Sequence, residues 1–251
     1  MDMGKIIAVI NQKGGVGKST TVQALTAGLT LKGFKVLAVD LDPQTNTSFT
    51  MKASSEGATA LGVLLKEIPA AAAIQSTPYG DIIASTERLA GADTLITDTG
   101  KEHQLEEALA PLKDSYDYII IDTPPALGIL SVNALTASNS IIIPAQAELY
   151  SLQGIGKLAE AIKAVKKYCN PDLIIEGILF TRYNTRSTFS GELSDLAERL
   201  AANLQTKVFD TRIRESIAIK KAQATQKSIF EYEPKGKAAE DYNSLIKEIL
   251  Q

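Results

Sequence analysis

The sequence is poor in the residues that build disulfides and zinc sites. Its 251 residues include one cysteine, Cys169, and one histidine, His103. A single cysteine cannot form an internal disulfide, and a single histidine cannot supply the ligand set of an ordinary zinc site. These shortages favour a protein of a reducing compartment and give no support to a zinc enzyme.

Long hydrophobic runs are also missing. The longest apolar stretches, such as Ile119–Ile121 and Ala70–Ile74, are far shorter than the roughly 20 residues that cross a bilayer. The first residues lack the apolar segment and cleavage site of a secretory signal peptide. We therefore expect a cytoplasmic protein without stable membrane insertion.

Neither sign of charge is in large excess. The 26 Lys and Arg residues against 29 Asp and Glu residues give a net charge of −3. This balance excludes a globally basic nucleic-acid binder, although it leaves room for a local basic patch. The chain is 45% hydrophobic and 22% charged, and it contains no repeat or linker. It is therefore predicted to fold as a single domain over residues 1–251.

Short β-branched runs alternate with helical patterns along the chain. The predicted strands are Lys5–Ile10, Lys35–Asp40, Asp81–Ala84, Asp117–Asp122, Ser140–Ala145, Leu173–Phe180 and Lys207–Phe209. The predicted helices are Lys18–Lys32, Glu102–Leu112, Leu152–Tyr168, Glu192–Leu204 and Ala238–Leu250. This alternation predicts an α/β fold with a doubly wound, mostly parallel β-sheet flanked by helices. Ligands of such sheets bind at the carboxyl ends of the strands.

A glycine-rich loop follows the first predicted strand and leads directly into a helix. It reads Asn11-Gln12-Lys13-Gly14-Gly15-Val16-Gly17-Lys18-Ser19-Thr20. The glycines let the backbone curl around an anion and the helix N-terminus attracts negative charge, so the loop is predicted to bind a polyphosphate. Lys18 is expected at the β- and γ-phosphates and the Ser19 hydroxyl at magnesium. The common loop has glycine in place of Gln12, and here a second lysine, Lys13, follows it.

Three aspartates lie at the ends of predicted strands. Asp40 and Asp42 are two residues apart, so an extended chain sends both side chains to the same face. An alternative is that they only shape the turn before Pro43. Asp122 ends a buried run and is predicted to hold magnesium through water, since magnesium keeps several waters and needs few carboxylates.

Four motifs together resemble the ParA/Soj/MinD family of partitioning ATPases, and most of all the short ParA/Soj type. The loop is similar to the deviant Walker A box of that family. The other three motifs are Asp40-Leu41-Asp42-Pro43-Gln44, Tyr118-Ile119-Ile120-Ile121-Asp122-Thr123-Pro124-Pro125 and Pro144-Ala145-Gln146-Ala147-Glu148. Their order along the chain makes the resemblance specific, and it implies a P-loop NTPase fold that binds ATP and Mg²⁺.

The resemblance also implies roles for the loop lysines and the aspartates. Lys13 is expected to reach across the interface of an ATP-bound homodimer to the partner's nucleotide, and Lys18 to act within its own subunit. Asp42 is expected to orient the attacking water, and Asp40 to lie near the magnesium shell. A solvated loop lysine is the alternative for Lys13.

The adenine end of the site is predicted from two later segments. No guanine-specific Asn-Lys-x-Asp motif occurs in the sequence, and the resemblance places Asn184 at the base, where its amide could pair with the adenine edge. Arg214 stands where many relatives have a proline against the base, and guanidinium stacking is one way it could pack there.

The family resemblance implies partners as well. Members of the ParA/Soj type bind DNA nonspecifically as the ATP dimer, associate with the nucleoid, and hydrolyse ATP when stimulated by an adaptor of the ParB type. The stretch 205–227 has six basic and two acidic residues, so Lys220 and Lys221 are candidate DNA contacts. A solvated mixed-charge surface is the alternative for this stretch.

Two other functions fit the same motifs. One is a MinD-like positioning ATPase that acts on a membrane or polar protein complex without DNA. The other is a nucleotide-gated switch with negligible turnover.

Overall fold

One seven-stranded sheet organises the chain in the computed structural model, which describes residues 4–184 and 190–251. The strands are β1 Lys5–Val9, β2 Val36–Asp40, β3 Ile74–Thr77, β4 Gly80–Ile83, β5 Tyr118–Asp122, β6 Ser140–Gln146 and β7 Ile174–Thr181. Their order is β3-β4-β2-β5-β1-β6-β7, and the β3–β4 pair alone is antiparallel among them. The predicted doubly wound, mostly parallel fold is confirmed.

Helices connect the strands and cover both faces of the sheet. They are α1 Lys18–Leu31, α2 Asn46–Thr50, α3 Ala60–Leu64, α4 Ala92–Leu95, α5 Gln104–Leu109, α6 Ile129–Ala137, α7 Leu149–Tyr168, α8 Ser190–Asn203, α9 Ile217–Ala224, α10 Ile229–Tyr232 and α11 Lys237–Ile249. Within the described residues, none of these helices combines the length and the apolar character needed to cross a membrane.

The core forms two layers because successive strand residues face opposite sides of the sheet. In β1, Ile6 and Ala8 belong to the cluster on one face, whereas Ile7 and Val9 belong to the cluster on the other. All four side chains are fully buried. Burial on both faces explains why these strands are apolar at consecutive positions.

The strand register places two aspartates side by side. β1 and β2 both pair with β5, and Asp40 is the register partner of Asp122. β1 lies between β5 and β6, so the loop that follows β1 leaves the sheet beside the carboxyl end of β5. The topology therefore brings the phosphate loop and these two carboxylates to one edge.

The predicted strand Lys207–Phe209 is wrong, because only Val208 forms an isolated bridge, to Ile178 of β7. Just after it, Glu248 accepts hydrogen bonds from the backbone N–H groups of Asp210 and Thr211, each at 3.1 Å. These donors are thus satisfied by a side chain instead of a neighbouring strand. The pairing with β7 is interrupted there, although residues 207–214 still run along its edge.

The last helix packs on the protein itself. Tyr242, Leu245 and Ile246 of α11 are at most 1% exposed and belong to the same apolar cluster as Leu25 of α1. This agrees with the mixed charge of its polar side, which is not the basic face of a membrane-surface helix.

Candidate nucleotide-binding site

The loop between β1 and α1 is held in a curled shape by its glycines and by neighbouring strands. Gly15 and Gly17 have φ values of 74° and 90°, a left-handed backbone that favours glycine. The Thr181 hydroxyl donates to the Val16 carbonyl at 2.7 Å, and the Asn11 amide donates to the Pro144 carbonyl, also at 2.7 Å. The loop is therefore fixed from β6 and β7, with the N-terminus of α1 at its end.

A cavity of about 550 Å³ opens over this loop. Its walls come from the phosphate loop, Asp42, α2, segment 213–216, α9 and Tyr242 of α11. A helix N-terminus at one end and a mixed apolar and polar wall at the other suit a ligand with a phosphate tail and a flat ring.

Lys18 is a buried cation in the cavity wall. It lines the cavity wall although only 6% of its surface is exposed. Burial lowers its pKa, while the carboxylates of Asp122 and Asp42 act in the opposite direction. The ammonium group can neutralise phosphate oxygens, and the two carboxylates suit a ligand that arrives with a divalent cation.

Asp122 has one carboxylate oxygen in use and one without a partner. Its Oδ2 accepts a 2.6 Å hydrogen bond from the Thr47 hydroxyl, whereas its buried Oδ1 has no hydrogen bond. Burial raises the pKa of Asp122, and this effect is opposed by the Thr47 hydrogen bond, by the nearby Ser19 hydroxyl and by Lys18. A buried carboxylate oxygen without a hydrogen bond, in a residue close to the Ser19 hydroxyl, fits the oxygen ligands that magnesium prefers.

Asp40 is engaged by the protein on both oxygens. Oδ2 accepts from the Ser48 N–H at 2.8 Å and the Ser48 hydroxyl at 2.7 Å, and Oδ1 accepts from the Asp42 N–H at 3.0 Å. Burial and the neighbouring Asp122 raise its pKa. Asp40 is the register partner of Asp122, and its own hydrogen bonds hold α2 in place.

Asp42 differs from Asp40 because it lines the cavity. It is 6% exposed, and its Oδ1 accepts a 3.0 Å hydrogen bond from the Gln44 N–H. The backbone carbonyl of Asp42 accepts from the Ser85 hydroxyl at 2.6 Å. The turn after β2 therefore fixes this carboxylate at the phosphate end of the cavity.

Lys13 is directed to a different place from Lys18. Its ammonium group forms an ion pair with Glu148 at 2.7 Å and a hydrogen bond with Gln146 at 3.3 Å. The Gln146 amide in turn donates to the Gly15 carbonyl at 3.1 Å. About a third of the Lys13 side chain, 31%, remains exposed, so it lies at the surface beside the loop.

The two residues predicted at the base are placed differently. Arg214 lines the large cavity and is clamped by Asp241, with Nη2–Oδ1 and Nε–Oδ2 distances of 2.6 and 2.9 Å. The hydrogen bond to Asp241 raises the pKa of Arg214. Asn184 is exposed and lines a neighbouring hollow of about 330 Å³ together with Glu148. The structure thus brings Arg214, but not Asn184, to the wall of the cavity over the phosphate loop.

Most of the basic residues in stretch 205–227 are engaged within the subunit. Lys207 pairs with Glu248, Arg214 with Asp241 and Lys227 with Glu231, while Arg212 stacks on Tyr183. Among the described residues, no acidic partner is within ion-pair distance of Lys220 or Lys221. Lys220 lines the nucleotide cavity, so Lys221 is the cleaner test of a DNA surface.

Several residues in or behind the cavity wall were not predicted from the sequence. Thr47 and Ser48 touch the aspartates, and Gln223 donates to the Thr20 hydroxyl at 2.9 Å from α9. Tyr242 reaches the cavity from α11. The polar run after Asp42-Pro43-Gln44 was a usable signal for Thr47 and Ser48. Gln223 and Tyr242 reach the site only through long-range packing, which the sequence does not reveal.

The fold and site together define a P-loop ATPase. A family model described as "AAA domain" matches residues 4–175. The sporulation initiation inhibitor protein Soj of Bacillus subtilis is 40% identical, with 98% of each chain covered. The chromosome partitioning protein ParA of Myxococcus xanthus is 36% identical over 99% of this chain and 89% of its own.

A solved structure gives the same result for the fold. The cobyrinic acid a,c-diamide synthase of Mycobacterium smegmatis, with a bound ATP analogue and magnesium, has 34% identity and a TM-score of 0.86. The comparison covers 98% of this chain and 94% of that chain. The chain belongs to the ParA/Soj/MinD family, within which it is of the ParA/Soj type, and the predicted family is confirmed.

Proposed function

We propose that this protein is a DNA-partitioning ATPase. It binds ATP with Mg²⁺, forms a nucleotide-sandwich dimer, binds DNA nonspecifically, and hydrolyses ATP when an adaptor of the ParB type stimulates it. Support comes from its membership of the ParA/Soj type and from relatives that are named as chromosome partitioning proteins. The neighbour with a bound ATP analogue and magnesium supports the choice of nucleotide and ion.

The groups at the cavity are suited to phosphoryl transfer to water. Lys18 neutralises the β- and γ-phosphates, and Asp42 orients the water that attacks the γ-phosphorus. Ser19 and Asp122 are the residues that would hold Mg²⁺, and the ion would neutralise charge on the phosphate oxygens. The P–O bond to the β-phosphate breaks as the new bond to water forms, and ADP and phosphate leave.

The position of Lys13 is the observation that carries the dimer proposal. The loop contains two lysines, but Lys18 is buried in the cavity wall, while Lys13 is paired with Glu148 at the surface. A partner subunit approaching this face can exchange Glu148 for a nucleotide phosphate as the acceptor of the Lys13 ammonium group. Two facing nucleotides would then be neutralised by two lysines from opposite subunits.

Light scattering with ATP and magnesium tests this proposal. Wild-type protein should form a dimer with ATP and remain a monomer with ADP. Lys13→Ala should still bind ATP but stay monomeric, because the facing phosphates lack a counter-charge. Lys32→Ala, which removes an exposed lysine at the end of α1, is the matched control and should dimerise normally. A full ATP dimer of Lys13→Ala would show Lys13 to be only a solvated loop residue.

A further inference from the structure

Helix α2 touches both strand-end aspartates with consecutive residues. Thr47 donates to Asp122 at 2.6 Å, and Ser48 donates to Asp40 from both its N–H and its hydroxyl. All four residues are fully buried. One short helix is therefore tied to the ends of β2 and β5 at the same time.

The Ser48 contact is part of a wider network. Its hydroxyl also accepts a 2.8 Å hydrogen bond from the Ser85 N–H, and the Ser85 hydroxyl donates to the Asp42 carbonyl. Both carboxylate oxygens of Asp40 accept hydrogen bonds from the protein, Oδ1 from Asp42 and Oδ2 twice from Ser48. This side of α2 is therefore anchored by contacts within the protein.

The Thr47 contact is single, and it decides which oxygen of Asp122 is available. With Oδ2 bound to the Thr47 hydroxyl, the unpaired Oδ1 is the oxygen left for magnesium or for one of its waters. A carboxylate can rotate about its bond to Cβ, and a hydrogen bond to one oxygen restricts that rotation. Partners of this kind that orient a metal ligand commonly change metal affinity by about 10–100-fold.

We propose that Thr47 is a positioning residue for the magnesium site. Its hydroxyl orients Asp122 and connects the metal to α2, whose Asn46, Phe49 and Thr50 line the nucleotide cavity. The proposal rests on the proposed binding of nucleotide and Mg²⁺. The Thr47–Asp122 hydrogen bond would then link α2 to a magnesium ion held by Asp122.

Magnesium titration of the ADP-bound protein tests the role of the hydroxyl. Thr47→Val keeps the volume of the side chain but removes the donor, so its magnesium affinity should fall by about tenfold. Thr47→Ser keeps the donor and should retain wild-type affinity. The affinity for ADP in EDTA should be the same in all three proteins. Thr47→Ala replaces Thr47→Val if valine prevents folding, with the same expected loss.

A tryptophan at Phe49 reports the connection to α2. The sequence contains no tryptophan, and Phe49 is 54% exposed on α2, so Phe49→Trp supplies a single fluorophore. When magnesium is added to the ADP complex, the tryptophan emission should change both in Phe49→Trp alone and in Phe49→Trp combined with Thr47→Ser. In the Thr47→Val background, the same magnesium saturation should leave the emission unchanged.

The outcomes separate this inference from the proposed function. Equal magnesium affinity of Thr47→Val and wild type would overturn the role of Thr47 while leaving the ATPase proposal intact. Weaker ADP binding by Thr47→Val in EDTA would also overturn it, because Thr47 would then be acting on the nucleotide pocket directly. Wild-type protein that binds neither ADP nor magnesium would overturn both.

Discussion

At the residue scale, the two aspartates after β2 have the same chemistry and different surroundings. Asp40 accepts three hydrogen bonds from the protein, whereas Asp42 lines the cavity. Spacing alone predicted that both side chains would face the same side, and it could not predict this difference in surroundings. The difference depends on Ser48, whose hydroxyl donates a hydrogen bond to Asp40 and accepts one from the Ser85 N–H.

Replacing Asp42 should separate binding from hydrolysis. Asp42→Ala should bind ATP normally and hydrolyse it at least about 100-fold more slowly, because a water-positioning carboxylate acts mainly in the transition state. Calorimetry measures the binding, and phosphate release in the presence of a ParB-type adaptor measures the turnover. Lys18→Ala is the contrasting variant and should lose ATP affinity itself. Equal turnover of Asp42→Ala and wild type would remove the proposed role of Asp42.

At the element scale, the helices that cover the sheet are in close contact where the sequence has small residues. Gly28 of α1 lies under α10 and α11, and a Cβ atom there would meet Phe230 at 2.9 Å and also overlap Ile246. Gly156 of α7 is exposed, and no described atom would lie within 4 Å of its added Cβ. Close packing therefore requires a glycine at position 28, whereas the space around position 156 would admit a larger residue.

Alanine at the two positions should change stability in opposite directions. Gly28→Ala should lower the free energy of unfolding by about 1–3 kcal/mol, since overpacking outweighs the gain in helix propensity. Gly156→Ala should raise it by about 0.5–1 kcal/mol, because the alanine loses less backbone entropy on folding and meets no neighbour. Urea unfolding of the nucleotide-free proteins measures both changes. Stabilisation by Gly28→Ala would show that α1 and α11 are not tightly packed there.

Features built from residues that are close together in the sequence could be predicted, whereas features that depend on contacts between distant residues could not. The phosphate loop is local, since strand, glycines and helix are contiguous, and Asp122 could be placed because it ends a buried strand. Tyr242 could not be placed, because it reaches the cavity only through the packing of α11 on α1. The strand expected at Lys207–Phe209 was wrong because Glu248, about 40 residues later, satisfies the next backbone donors. The roles of Asn184 and Arg214 at the base remain predictions.

At the scale of the whole molecule, the basic stretch 205–227 is less basic than its composition indicates. Three of its six cations form ion pairs within the subunit, and their acidic partners are Glu231, Asp241 and Glu248. A dimer would bring two copies of the remaining cations onto one rigid body, and linked sites of this kind raise apparent affinity for DNA. ATP could then gate DNA binding by joining two weak surfaces.

The salt dependence of DNA binding tests this arrangement. With ATP, wild-type protein should bind unrelated duplexes equally well, and the log of the binding constant should fall linearly with the log of the salt concentration. Lys221→Ala should weaken the binding and reduce that slope by about 0.9 for each lost phosphate contact, or twice this in a dimer. Anisotropy of labelled DNA measures both values. Lys166→Ala, an equal charge change on the exposed side of α7, should have no effect.

Two results would contradict the DNA proposal in different ways. If Lys221→Ala binds DNA with the wild-type slope, the contact surface lies elsewhere on the dimer. If wild-type protein binds no DNA with ATP at any salt concentration, the partitioning function itself is wrong.

The walls of the nucleotide cavity come from segments that are far apart in the sequence. Its floor is made by residues 14–20, and its far wall includes Arg214 and Tyr242, which are synthesised later. A chain that has been made only as far as α1 has the residues of the phosphate loop, but neither the contacts from Pro144 and Thr181 that hold the loop nor the far wall of the cavity. We therefore expect nucleotide affinity to develop only after α11 has been made and has packed on α1.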